Sequence, residues 1–119
     1  MSFKEERDNF PLGPELYGVC SVKLARKRNN VKHEGKWEWT LTNKDIPWTN
    51  TCPILGEKLL WQSPYDRRQP HSPTFVRIDQ TKGYVKGNVM VVSYVASCML
   101  RLGTLKDFEK IVQFLQQQT

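Results

Sequence analysis

The 119-residue chain lacks any apolar run that could cross a bilayer, and it lacks an apolar leader after Met1, where Ser2-Phe3-Lys4-Glu5-Glu6-Arg7 is charged. No membrane partner is expected, and the cytoplasm of the producing cell is the expected site of action. Cysteine is scarce. Cys20, Cys52 and Cys98 are widely spaced and odd in number, which argues against a disulfide framework and leaves no Cys-x-x-Cys pair for zinc. Packing must therefore hold the core, and three buried free thiols are the expectation. Histidine is scarcer still: His33, beside Glu34, has no partner at metal-ligand spacing and is expected at the surface. Acidic side chains are outnumbered 12 to 18 by Lys and Arg, a net charge of +6 that favours an anionic partner, nucleic acid foremost.

With 39% apolar residues the chain suffices for one modest core. Residues 1–13 are charged and then turn-prone (Pro11-Leu12-Gly13-Pro14), and are expected to form a flexible arm; residues 14–119 form the domain. A helix is predicted from Glu15 to Arg28. Pro14 suits its first turn, Leu16, Val19, Cys20 and Leu24 give it an apolar side, and Asn29-Asn30 ends it. Its Lys23, Arg26, Lys27 and Arg28 read either as phosphate contacts or as a solvated helix end stabilised by the macrodipole.

Residues 31–41 alternate, placing Trp37 and Trp39 on one side of a short strand. Thr42-Asn43-Lys44-Asp45 resembles a capping box opening a helical turn, and Trp48 is expected in the core. Cys52 to Gly56 reads as a turn, followed by an apolar strand through Leu59, Leu60 and Trp61. Residues 62–73 form a loop in which Arg67, Arg68 and His71 could touch a phosphate.

The stretch 72–102 is the organising core. Thr74 to Ile78 is rich in β-formers, Lys82-Gly83 and Lys86-Gly87-Asn88 supply a turn, and Val89 to Val92 is a second strand or the run into a helix. Arg77, Lys82 and Lys86 sit on this platform with basic flanks suited to a phosphate backbone. Tyr94 to Leu102 is apolar at helical spacing and ends at Gly103. Thr104, with Asp107 three residues on, caps a last helix whose Leu105, Phe108, Ile111 or Val112, and Leu115 recur at the helical period.

The segment Ser72-Pro73-Thr74-Phe75-Val76-Arg77-Ile78-Asp79, with Lys82-Gly83-Tyr84 and Gly87-Asn88-Val89, resembles the core of the small, free-standing HNH endonucleases of tailed bacteriophages. Asp45-Ile46-Pro47, Cys52-Pro53-Ile54-Leu55-Gly56, Gly103-Thr104-Leu105 and Phe108-Glu109 add flanking matches, so that the resemblance covers about residues 24 to 115. It implies an α+β fold with a ββα-metal core between an N-terminal and a C-terminal helix. It also implies double-stranded DNA as partner, with Mg²⁺ or Mn²⁺ stabilising the charge that develops on a cleaved phosphodiester.

Carried over by position, the family pattern puts its first metal-binding Asp on Val76 and its helix Asn on Ser97. Arg77 is implied to hold the scissile phosphate, Asp79 to be the remaining acidic ligand, alone or with His71 or Asp66, and Asn88 to brace the two halves of the motif. Val95, Cys98, Leu100 and Leu102 replace polar family positions. Two functions stay open. One is a nuclease whose site is Arg77, Asp79, Asn88 and Ser97; Lys23, Arg26, Lys27, Arg28, Arg67, Arg68, Lys82 and Lys86 would then bind DNA. The other is a catalytically degraded relative that binds DNA, or a host or phage protein, without cutting.

Overall fold

Two short strands form the floor against which the helices that line the site are packed. The computed structural model describes residues 2–61 and 69–118. Strand β1 (Pro73–Arg77) and strand β2 (Val89–Ser93) pair antiparallel, with Phe75 opposite Val91 and Arg77 opposite Val89. Phe75, Val89, Val91 and Val92 are buried, the β-branched and aromatic content that a half-covered pleated surface favours. Ser93 ends β2 and at once begins helix α3 (Tyr94–Leu102), its hydroxyl accepting from the Ala96 amide at 3.2 Å. Helix α4 (Leu105–Gln117) follows Gly103 and is opened by a full capping box between Thr104 and Asp107.

The long helix α2 (Pro14–Glu34) lays Tyr17, Cys20, Leu24 and Val31 against the core. The predicted stop at Asn29-Asn30 does not occur. Burial of Val31 carries the helix past it, and Gly35, at φ 70°, supplies the left-handed C-cap, its amide returning to the Val31 carbonyl at 3.1 Å. The strand expected over 31–41 is accordingly reduced to one bridge between Trp39 and Tyr84.

Residues 1–13, expected as a flexible arm, hold a short helix and one buried ring. Ser2 caps a short helix, α1 (Phe3–Asp8), and Phe10 is buried, its ring edge-on to Tyr17 at 5.4 Å and to Trp48 at 5.1 Å. Phe10 is the one buried ring of this segment; Phe3 stays exposed, with an edge contact to Tyr17 at 5.4 Å. Trp48 packs as expected, with Trp61 and Phe75 at 5.7 and 5.8 Å, and the Thr42–Asp45 capping box is formed around a single 3-10 turn (Asn43–Asp45). Residues 52–61 hold a turn and one Thr51–Lys58 bridge in place of the apolar strand, although Leu59 and Trp61 are buried. Cys20 and Cys52 are buried, whereas Cys98 is half-exposed. The result is a small α+β domain of helices around a two-stranded antiparallel sheet. Among the described residues no helix is long and apolar enough to cross a membrane.

Candidate nucleic-acid interface

Residues at i, i+3, i+4 and i+7 share a face of a helix. On α2 these are Lys23, Arg26, Lys27 and Asn30, and they form one wall of a cleft of about 200 Å³ whose other wall is Pro73, Thr74 and Phe75 of β1 with Tyr94 of α3. The cleft continues, through the shared Lys27, Thr74 and Phe75, into a second of about 380 Å³ lined by Val76, Arg77, Gln80, Tyr84, Ser97, Leu100 and Arg101. Five cations (Lys23, Arg26, Lys27, Arg77 and Arg101) line this continuous groove, and no described lining residue is acidic.

The middle of the groove is stiff. The Arg77 guanidinium lies 3.9 Å above the Trp37 ring and donates from Nη1 to the carbonyls of Gln80 and Lys82, both at 2.9 Å. Tyr84 stacks on Trp39 at 5.3 Å between centroids, with Lys27 Nζ 5.5 Å from the Tyr84 ring on the groove side. Cation–π and carbonyl contacts thus fix two of the positive charges before any ligand arrives, so less rotamer freedom is lost on binding. Lys23 differs from its neighbours in being buried, at 8% exposure, so it forms groove wall more than groove surface. The same burial pushes the adjacent Cys20 thiol up to about 12, with Lys23 offsetting part of the rise.

The four-residue basic cluster on α2 does not act as one patch. At 100° per residue Arg28 turns away and lines a different cleft with Glu6, Trp39 and Lys44. Lys86 lies on the far side of the hairpin, beside Ile78, Pro47 and Asp45. Lys82 is exposed on the connecting loop with its Nζ 3.9 Å from Asp79. Arg67 and Arg68 lie outside the described residues, as does Asp66. Arg101 and Asn30 had not been singled out as groove residues from the sequence; the signal was available, since Arg101 follows Ser97 by four residues and so repeats its face of α3.

Asn88 is the brace of the loop between the strands. Buried at 6% exposure, its Oδ1 accepts from the Asp79 amide at 2.8 Å while Nδ2 donates to the carbonyls of Asp79 at 3.1 Å and Gly83 at 2.8 Å. Both Nδ2 donors are thereby committed to the loop. The carboxylate of Asp79 belongs to the same loop: Oδ1 accepts from the hydroxyl of Thr81 at 2.6 Å and its amide at 2.9 Å, which holds the group below its ordinary pKa of 3.8, with Lys82 adding to the effect. It is not among the residues lining the groove.

Val76 and Ser97 do meet across the second cleft, one from β1 and one from α3. A divalent metal held there would require several oxygen or imidazole donors. Val76 offers hydrocarbon, and the Ser97 hydroxyl already donates to the Tyr94 carbonyl at 2.7 Å. His71 is paired through Nδ1 with Glu57. Among the described residues no three His, Cys, Asp or Glu side chains cluster. The described residues of this cleft do not fit a divalent metal. Comparisons with protein-family models, with curated proteins and with solved structures find no match to the chain.

Proposed function

We propose that the chain is an HNH-derived protein that binds double-stranded DNA through the groove between α2, β1 and α3, without the metal ligands that cleavage requires. The hairpin is followed directly by α3, and the presence of Lys82-Gly83-Tyr84, Gly87-Asn88-Val89 and Gly103-Thr104-Leu105 in the sequence supports that ancestry. The observation that carries the binding reading is the set of five cations along one groove with no acidic residue among its described lining. Phosphates would lie against Arg26, Lys27 and Arg101, with Arg77 presented from the Trp37 ring and Lys23 adding field from the wall. Polar Asn30, Thr74 and Gln80 add neutral hydrogen-bonding capacity along the same track.

A nicking nuclease is the second reading, favoured by one feature: Asp79 keeps an acidic side chain at the second acidic position of the resembled motif, and that side chain is part-exposed. Duplex titration at several salt concentrations tests the first reading. Three to five phosphate contacts give a slope of log affinity on log salt of about −3 to −4.5. Negligible affinity at low salt would refute it. Supercoiled plasmid incubated with Mg²⁺ or Mn²⁺ is expected to stay supercoiled; metal-dependent nicking that Asp79→Asn abolishes would establish the second reading instead.

A further inference from the structure

The first of the two clefts sets recessed charge against apolar surface. On its α2 wall Lys23 is buried and Arg26 and Lys27 are half-buried, whereas Arg28, one position on and outside the cleft, is exposed. The opposite wall is Pro73, Thr74 and Phe75 with the half-buried ring of Tyr94. Phe75 and Tyr84, the other described rings that line the groove, are buried, so among them only Tyr94 has surface to offer a ligand. At about 200 Å³ the cleft is smaller than the roughly 300–1,000 Å³ of sites for drug-sized molecules. A major groove is read by a helix that enters it. The face of α2 that bears Lys23, Arg26 and Lys27 is closed off by β1 and α3 and cannot enter one.

Given DNA as the ligand of the groove, which is the reading proposed above, we infer that this cleft takes one unpaired nucleotide of a strand. Its base lies against Tyr94 and Pro73, and its phosphate lies toward Arg26 and Lys27. A basic groove with an aromatic ring in it holds single strands without regard to sequence, because every base has a π-face and the backbone follows the cations. Asn30, exposed at the same wall, brings an amide with both donor and acceptor to a base edge. Continuity with the second cleft selects a strand over a free nucleotide: Arg77 and Arg101 line it, more phosphate positions than a mononucleotide fills. Drawing a nucleotide out of an intact duplex costs its stacking and pairing, and that cost is least where the base is already unpaired. Duplex DNA with a short gap is therefore the preferred substrate, its paired flanks lying along the rim.

Fluorescence anisotropy on the full chain would compare a fully paired duplex with the same duplex carrying a short single-stranded gap. The gapped probe is expected to bind about tenfold more tightly. Tyr94→Leu, which keeps an apolar side chain and loses the ring, should abolish that preference, and Tyr94→Phe should retain it, with thermal melts showing both variants folded. Equal affinity for the two probes, or a preference that survives Tyr94→Leu, would overturn the inference; salt-dependent binding of the paired duplex would leave the DNA reading standing. Displacement of the gapped probe by deoxyadenosine monophosphate as readily as by unlabelled gapped DNA would overturn the assignment to a strand. No affinity for either probe at low salt would refute the DNA reading and this inference with it.

Discussion

The side-chain amide of Asn88 grips the main chain of Asp79 from both sides, accepting from its amide at 2.8 Å and donating to its carbonyl at 3.1 Å. A third bond, to the Gly83 carbonyl, closes residues 79–88 into a rigid loop whose near end carries Arg77. Removing the amide would leave the buried Gly83 carbonyl and the part-buried amide and carbonyl of Asp79 without this partner, at up to about 1–3 kcal/mol for a buried group. Asn88→Ala is therefore expected to lower unfolding stability by about 3 kcal/mol, read as a denaturation midpoint at constant slope. A change under about 0.5 kcal/mol would show that the loop is braced elsewhere.

Gly83 and Gly18 make opposite predictions. At Gly83 an added Cβ would lie 2.7 Å from Glu38 Cγ and 3.0 Å from the Glu38 carbonyl, where the loop docks through the Tyr84 amide. Gly83→Ala should destabilise by about 1–3 kcal/mol. At Gly18, on the exposed side of α2, nothing lies within 4 Å, so Gly18→Ala should stabilise by about 1 kcal/mol. Thermal or denaturant melts of the two variants decide the matter, and equal effects would contradict the packing described.

The hairpin and the two helices after it were legible because local and global signals agree there: β-branched runs bracket a Gly-Asn turn, and Ser93 and Thr104 each cap a helix. Glycine at 83 is a different case. Both Gly83 and Gly87 read as turn residues, but only Gly87 has a positive φ, at 87°, while Gly83 is required by the close approach of Glu38, a long-range contact that no local pattern encodes. The extension of α2 to Glu34 was missed because Asn29-Asn30 looks like a stop until Val31 is known to be buried and Gly35 to be the cap. The basic cluster reads along the sequence either as phosphate contacts or as a solvated helix end, and helical twist divides it, leaving Arg28 outside the groove. Arg101 needed the opposite step, the joining of a distant helix to α2 across the sheet.

Thiol reactivity should follow burial. Burial pushes Cys20 to about 12 and keeps it protonated. Cys52 is fully enclosed; burial raises its pKa, but amides of Leu55, Ser93 and Ile54 directed at the sulfur outweigh that and lower it. Access then protects Cys52 despite its acidity. Mass spectrometry after brief alkylation of native protein should find Cys98 modified, with Cys20 and Cys52 modified only after unfolding. Early labelling of Cys20 would contradict the core as described.

Acid sensitivity has a defined sign. Asp79 and Asp107 are both held below 3.8, by Thr81 and by the Thr104 cap respectively, so the unfolded chain binds protons more tightly than the folded one. Their contribution is present above the ordinary carboxylate value and is lost as pH falls through the depressed values. A variant with Asp79→Asn and Asp107→Asn should be less stable than the natural chain near neutrality, and the gap should close in strong acid. A gap independent of pH would show that the carboxylate charge is not what these contacts use.

The groove is the central claim, and charge reversal on matched residues tests it most directly. Fluorescence anisotropy with a labelled duplex would compare Lys27→Glu with Arg101→Glu, inside the groove, against Arg28→Glu with Lys86→Glu, outside it; both pairs change net charge equally. The account predicts that the groove pair weakens binding at least about tenfold more than the outer pair and flattens the salt dependence by about two contacts. Equal losses from the two pairs would mean that DNA is held by overall charge alone, and the groove would not be the binding site.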